Sequence, residues 1–221
     1  MIPRLHYILC AAMFLLPVEY ARSDAGAVKS QSAGTVEATA EKVAADDRDV
    51  LMAHGVVSCP ALGHSLEPAD PPTTSALSRV EQFVAREHFN EDFSPHAEVK
   101  IYWLGAAFRQ RFLQKVEDDG DGAILRTFIL RKSSRDAEII AELNLHHETK
   151  LSDLWCLLTV QPNGEPGTLL TNAVPNIFYI RDIDGVLGAV DAVWGGAGWE
   201  IGASSVESPS QWLAGRQVIS R

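Results

Sequence analysis

The chain has few cysteines, no cluster of basic residues and no second long apolar run beyond the one at its start. Its 221 residues include three cysteines, and 19 Lys and Arg residues stand against 29 Asp and Glu residues, a formal net charge of −10. An acidic chain without a basic cluster argues against nucleic acids and anionic membranes as partners. The apolar run at residues 7–18 has 12 residues, whereas a transmembrane helix needs about 20.

Short motifs of several enzyme classes are also missing. The sequence has no His-Glu-x-x-His pair, no phosphate-binding loop and no dinucleotide fingerprint. Residues 202–206 lack the second glycine of a nucleophile elbow. Residues 117–122 match the start of a calcium loop, but Phe128 stands where that loop needs a glutamate. Residues 146–148, His-His-Glu, are adjacent and point apart, which does not suit one metal ion. We therefore predict no metal and no cofactor.

The N-terminal residues have the pattern of a secretory signal peptide. Arg4 and His6 precede the apolar run, and Ser23 and Ala25 supply the small residues of a cleavage site. We expect cleavage after Ala25, a periplasmic or secreted location, and no membrane span in the mature chain. An uncleaved signal anchor is the alternative.

Two cysteines, Cys59 and Cys156, remain after this cleavage. An even pair of cysteines in an exported protein predicts a disulfide bond. The alternative is a pair of buried free thiols.

The predicted organisation has three parts. Residues 1–25 are the signal peptide, residues 26–72 are a flexible or weakly helical N-terminal extension with a Pro-rich connector, and residues 73–221 are a single α+β domain. Apolar residues at helical spacing predict helices over residues 74–89 and 151–160.

Two further segments are predicted to be helical. The pattern Ser133-x-x-Asp136 resembles a capping box at the start of a short helix. Residues 95–116 fit a helix that begins at Ser94-Pro95, and a strand at residues 99–104 is the alternative.

Residues 176–206 predict a three-stranded antiparallel meander. An Asp-Gly pair at 184–185 and a Gly-rich segment at 195–198 separate three runs of strand-forming residues. Residues 123–131 and 217–220 predict further strands. Helices followed by strands predict an α+β fold, with N-terminal helices packed on a C-terminal antiparallel β-meander.

The loops of the meander predict its register. A symmetric second loop places Trp194 opposite Trp199, and a two-residue first turn places Tyr179 opposite Val190. The resulting second face of the sheet is too apolar for open solvent, so we expect a helix or strand to cover part of it.

Two pairs of residues are candidate sites. Asp191 and Glu200 share one face of the meander as diagonal neighbours about 7–8 Å apart, a spacing that suits acid/base carboxylates acting across a water. Trp212 and Arg216 are candidates for a binding patch, because Trp and Arg are enriched in interfaces. The alternatives are a polar sheet edge for the two acids and a buried plug for Trp212.

Export, acidity and missing motifs favour a binding protein over an enzyme. We predict an exported acidic binding or inhibitor-type protein, a class that includes immunity proteins, with a basic protein as its partner. The alternative is a carboxylate-dependent hydrolase acting on envelope or extracellular polymers, and a structural envelope component is a third reading. A pocket joining Asp191 and Glu200 would favour the hydrolase, and a flat acidic or aromatic surface would favour binding.

Overall fold

Strands dominate the part of the chain that the computed structural model describes, which is residues 49–60, 82–118 and 122–221. All of these residues fall in one compact unit, and they form ten strands and four α-helices. The strands are β1 (Leu51–Cys59), β2 (Gln82–Val84), β3 (Ile101–Leu104), β4 (Val116–Asp118), β5 (Ala123–Leu130), β6 (Glu148–Thr149), β7 (Asn176–Arg181), β8 (Leu187–Trp194), β9 (Trp199–Ser205) and β10 (Gln217–Ser220). The helices are α1 (Ala85–His88), α2 (Ala106–Arg111), α3 (Asp136–Leu143), which a 3-10 turn (Asn144–His146) follows, and α4 (Leu151–Val160).

Eight of these strands form one mixed sheet. Its order is β1-β5-β10-β7-β8-β9-β3, and β6 pairs with β7 beside this path. β10 runs antiparallel to β5 and parallel to β7, and β3 runs parallel to β9. β2 and β4 form a separate antiparallel pair. The last strand in chain order, β10, therefore lies inside the sheet and joins the β1–β5 pair to the other strands.

The prediction of N-terminal helices packed on an antiparallel meander is wrong. The described part of residues 74–89 is strand β2 and the single helical turn α1, and residues 95–116 hold β3, α2 and the start of β4. The strand alternative at residues 99–104 is confirmed by β3. Short apolar runs fit both helical and strand spacing, and here pairing between distant segments decides: β2 pairs with β4, and β3 pairs with β9.

Helix α4, the meander and β10 form where the sequence predicts them, and α3 forms with Arg135 as its N-cap, two residues after the predicted Ser133. α4 begins and ends at the predicted residues and buries Leu151, Leu154 and Leu158. Full burial of one such side chain contributes roughly 1.5–3 kcal/mol to folding. The apolar face of α4 is therefore enough to fix a helix only ten residues long.

The main sheet is buried on both faces. One face carries Phe178, Val190 and Ile219 and packs against α4. The other carries Tyr179 and Val218 and packs against the apolar side of α3. The expectation that a further element covers the second face of the meander is confirmed, and the fold has three layers.

The predicted register is right for the second loop and wrong for the first. Trp194 lies opposite Trp199, with ring centroids 5.5 Å apart. Tyr179 lies opposite Ala189, one residue away from the predicted Val190. The first loop has five residues instead of two, because the Asp182 carboxylate accepts the N–H groups of residues 184 and 186. A slip of one residue exchanges the two faces of β7.

Cys59 at the end of β1 and Cys156 of α4 form a disulfide bond, with Cα atoms 6.0 Å apart. The predicted disulfide is confirmed, and it ties the edge strand β1 to a core helix. Such a bond fits a protein outside the reducing cytoplasm. Within the described residues, no helix is long and apolar enough to cross a membrane.

Several predictions concern residues that are not described. The signal peptide at residues 1–25 and the boundary at residues 72–73 lie outside the described residues. Strand β1 falls inside the predicted extension and connector, and it pairs with β5 in the main sheet.

Candidate functional site

A pocket of about 250 Å³ opens where α3 begins, beside the meander. Four segments line it: the first residue of α3, strand β8, strand β9, and the segment that links β9 to β10. The lining residues are Asp136, Asp191, Ser204, Ser208, Ser210, Gln211 and Trp212. We call this the aspartate pocket.

Asp136 is the buried acid of this pocket, with 2% of its surface exposed. Its Oδ1 accepts two hydrogen bonds, from the Tyr179 hydroxyl (2.8 Å) and from the Trp212 indole N–H (2.7 Å). Burial raises the pKa of Asp136, and these two hydrogen bonds act in the opposite direction. Trp212 is held in place by its backbone, because its N–H and C=O both pair with Ser134.

Asp191 is the second acid. It lies on β8 opposite Gly202 of β9. A Cβ atom added at Gly202 would lie 2.6 Å from Asp191 Oδ1, so the glycine leaves the space that the carboxyl group occupies. Burial raises the pKa of Asp191 to about 6, because it disfavours the charged form.

The lining of the pocket has no cationic side chain. Within the described residues, no Lys, Arg or His side chain forms an ion pair with Asp136 or Asp191. The remaining lining groups are serine hydroxyls, a glutamine amide and the Trp212 indole. Such a site can accept hydrogen bonds from a cationic or hydroxyl-bearing group, and an indole ring attracts cations. It can also hold and release a proton near pH 6.

The structure brings together two of the four residues predicted from the sequence. Asp191 and Trp212 line the same pocket, whereas Glu200 does not line it. Glu200 shares the face of Asp191, as the register requires, but its carboxylate lies over Gly195. Arg216 donates to the carbonyl of Ala214 and lies outside the pocket lining.

Sequence reasoning missed Asp136 and Tyr179. Asp136 lies 43 residues from Tyr179 and 76 residues from Trp212, so no local spacing connects them. The only local signal is the position of Asp136 at the start of α3, and helix capping accounts for that signal without a site.

An exposed aromatic surface lies at the opposite edge of the sheet from β1. Phe93, Tyr102 and Trp103 are 60%, 50% and 47% exposed, and the rings of Phe93 and Tyr102 are 5.6 Å apart. Tyr102 and Trp103 belong to the edge strand β3. Exposed aromatic groups of this kind are typical of interaction surfaces.

Glu117, the first residue of the calcium-like turn, has a structural partner. Its carboxylate accepts the N–H groups of Leu151 (3.1 Å) and Ser152 (3.0 Å) at the start of α4, and Lys115 Nζ lies 2.8 Å away. Asp119 and Asp121 lie outside the described residues. Among the residues that are described, no group of three or more His, Cys, Asp or Glu side chains is placed to hold a metal ion.

No protein-family model matches the chain, and the comparisons with curated proteins and with solved structures found no match. The structure itself therefore describes the protein: a disulfide-bonded three-layer fold with a central mixed sheet and an acidic pocket at the start of α3.

Proposed function

We propose that the protein is an exported acidic binding or inhibitor-type protein, and that the aspartate pocket takes a Lys or Arg side chain of a basic partner protein. One observation carries this proposal. Asp136 and Asp191 line the same pocket, and no cation of the described residues pairs with either.

A cationic ligand offsets the cost of burying these acids. An ionised carboxylate is costly to bury unless it is paired and hydrogen-bonded. An ammonium or guanidinium group supplies that charge and donates hydrogen bonds, and the ring of Trp212 adds a cation–π contact. Because no Lys, Arg or His side chain lines the pocket, the partner supplies the cation.

The size of the pocket and the charge of the chain support a protein partner. Its 250 Å³ is below the roughly 300–1,000 Å³ of sites for whole small molecules, which suits the end of one long side chain. The net charge of −10 speeds association with a basic protein. The exposed aromatic residues of β3 also support a binding protein, because exposed aromatic side chains are typical of interaction surfaces.

The test uses two model ligands of nearly equal shape, Nα-acetyl-arginine methylamide and the neutral Nα-acetyl-citrulline methylamide. We expect the folded protein to bind the arginine derivative and to bind the citrulline derivative at least about tenfold more weakly. Asp136→Asn and Asp191→Asn should each weaken arginine binding about tenfold or more, measured by NMR titration.

The matched control is Glu200→Gln, which removes an acid on the same sheet face outside the pocket. It should leave arginine binding unchanged. Equal binding of the two ligands, or undiminished arginine binding by both Asp variants, would overturn the proposal.

A carboxylate-dependent hydrolase acting on envelope or extracellular polymers is the second candidate. The observation that favours it is the pKa of Asp191, which burial raises to about 6 in a pocket that the carboxyl group of Asp136 also lines. A pKa near the working pH suits a general acid. The second carboxyl group of the site is that of Asp136 and not that of the predicted Glu200. The experiment is incubation with peptidoglycan and extracellular polysaccharides. Product release that Asp191→Asn abolishes in a folded protein would replace the binding proposal by the hydrolase.

A further inference from the structure

A second cavity, of about 430 Å³, lies on the α3 face of the main sheet. Strands β1, β5 and β10 form one wall of the cavity. The end of α3 and the 3-10 turn after it form the other wall. The aspartate pocket lies at the start of α3, so the two sites lie at opposite ends of this helix. Apolar and polar side chains line the cavity together: Leu51, Phe128, Leu143, Arg126, His146 and Ser220. We call it the Arg126 cavity.

The register of β5 and β10 places a cation beside a hydroxyl group. Ser220 pairs with Arg126, and Val218 pairs with Phe128. Alternation along the strands puts these four side chains on one face of the sheet. Directly opposite residues have Cβ atoms about 4.5–5.5 Å apart, so one ligand group can reach both Arg126 and Ser220.

Both of these polar groups lack an acceptor in the described part of the chain. Ser220 is 1% exposed, and its Oγ has no hydrogen-bond partner. Arg126 forms no side-chain hydrogen bond and no ion pair with any described residue. A buried hydroxyl without a partner carries a free-energy cost. A ligand oxygen would remove that cost.

The acidic side chain that lines the cavity already accepts hydrogen bonds from the backbone. Glu142 also lines the cavity, and its two carboxylate oxygens accept the N–H groups of Val50 (2.7 Å) and Leu51 (2.9 Å). Glu142 therefore fastens the start of β1 to α3. Arg126 and His146 are the remaining ionisable groups of the lining, and both are bases.

We propose that the Arg126 cavity binds a small organic acid with an apolar chain. Its carboxylate meets the guanidinium of Arg126 and the hydroxyl of Ser220, and its chain lies against the apolar wall. The guanidinium fork matches a carboxylate in a bidentate pair. The volume of 430 Å³ falls in the range of about 300–1,000 Å³ for small-molecule sites, which are mostly apolar with a few polar groups.

Isothermal titration calorimetry with three probes tests this site: octanoate, its neutral amide octanamide, and acetate, which has the charge without the chain. We expect octanoate to bind at least about tenfold more tightly than either of the other two. Arg126→Gln should weaken octanoate binding about tenfold or more. Ser220→Ala should weaken it by a smaller factor without loss of the fold, because the native hydroxyl has no partner.

Arg131→Gln is the matched control, since Arg131 is an exposed arginine just after β5 and does not line the cavity. It should bind octanoate as the native protein does. Circular dichroism establishes that each variant is folded. The proposal is overturned by absence of octanoate binding, by octanamide or acetate binding equally well, or by equal loss of binding in Arg126→Gln and Arg131→Gln.

Discussion

At the scale of single residues, Asp191 is a carboxyl group whose burial opposes its ionisation. Its carboxyl group occupies the space over Gly202, and a hydrogen bond from its own backbone offsets only part of the effect of burial on its pKa. Its folded pKa is about 6, whereas its unfolded value is near 3.8. The folded protein therefore binds this proton more tightly than the unfolded chain does, and ionisation of Asp191 lowers stability as pH rises from about 4 to about 6.

Asp191→Asn should therefore stabilise the protein in a pH-dependent way. Two pKa units correspond to about 2–3 kcal/mol, so the free energy of unfolding should rise by up to about that amount at pH 8 and change little at pH 4. Urea unfolding at the two pH values measures it. Glu200→Gln is the control. An equal effect of Asp191→Asn at both pH values would show that burial does not hold the proton on this carboxyl group.

Sequence reasoning identified two of the seven residues that line the aspartate pocket, and it missed Asp136 because the residues that contact Asp136 are distant along the chain. Asp191 and Trp212 were visible because an acid within an apolar strand and a Trp in a polar tail are locally unusual. Asp136 was hidden at a helix start, where acids are common for other reasons. Its contacts to Tyr179 and Trp212 exist only once α3 has packed on the sheet.

At the scale of elements, segments with their own start and stop signals were predictable. α4 and the second loop of the meander depend on residues within a few positions of each other. β2 was not predicted and β3 was predicted only as an alternative, because their apolar residues fit helical spacing and only pairing with segments 30 or more residues away makes them strands. The prediction for the first loop failed for a different reason: hydrogen bonds to the Asp182 side chain stabilise a longer loop than the Asp-Gly pair implies.

The disulfide links strand β1 covalently to helix α4. Cys59 and Cys156 are 97 residues apart, and the loop-entropy model assigns a cross-link of that length about 4–5 kcal/mol. Replacing both cysteines with alanine should lower the free energy of unfolding by up to that amount, as measured by urea unfolding. Reducing agent should destabilise the native protein and leave the double variant unaffected. Equal stability with and without the bond would show that β1 stays docked without it.

At the scale of the whole molecule, β10 holds two parts of the sheet together. Within the described residues, β1 and β5 reach β7, β8, β9 and β3 only through the four residues of β10. Deleting residues 217–221 should expose the free edges of β5 and β7, and unpaired strand edges promote aggregation. Size-exclusion chromatography and light scattering should show aggregates.

The control for this deletion is Arg221→Gln, which removes the ion pair of Arg221 with Asp153 and keeps β10. It should remain monodisperse to the same degree as the native protein. A truncated protein as well dispersed as this control would mean that the two parts of the sheet do not need β10.

The position of β10 also fixes an order of events in time. The strands that flank it are made earlier in synthesis, but the sheet cannot close across them until residues 217–220 are available. A chain that emerges N-terminus first from a ribosome therefore stays without its finished sheet until residues 217–220 have emerged. The topology therefore makes completion of the fold a late event that depends on four residues of β10.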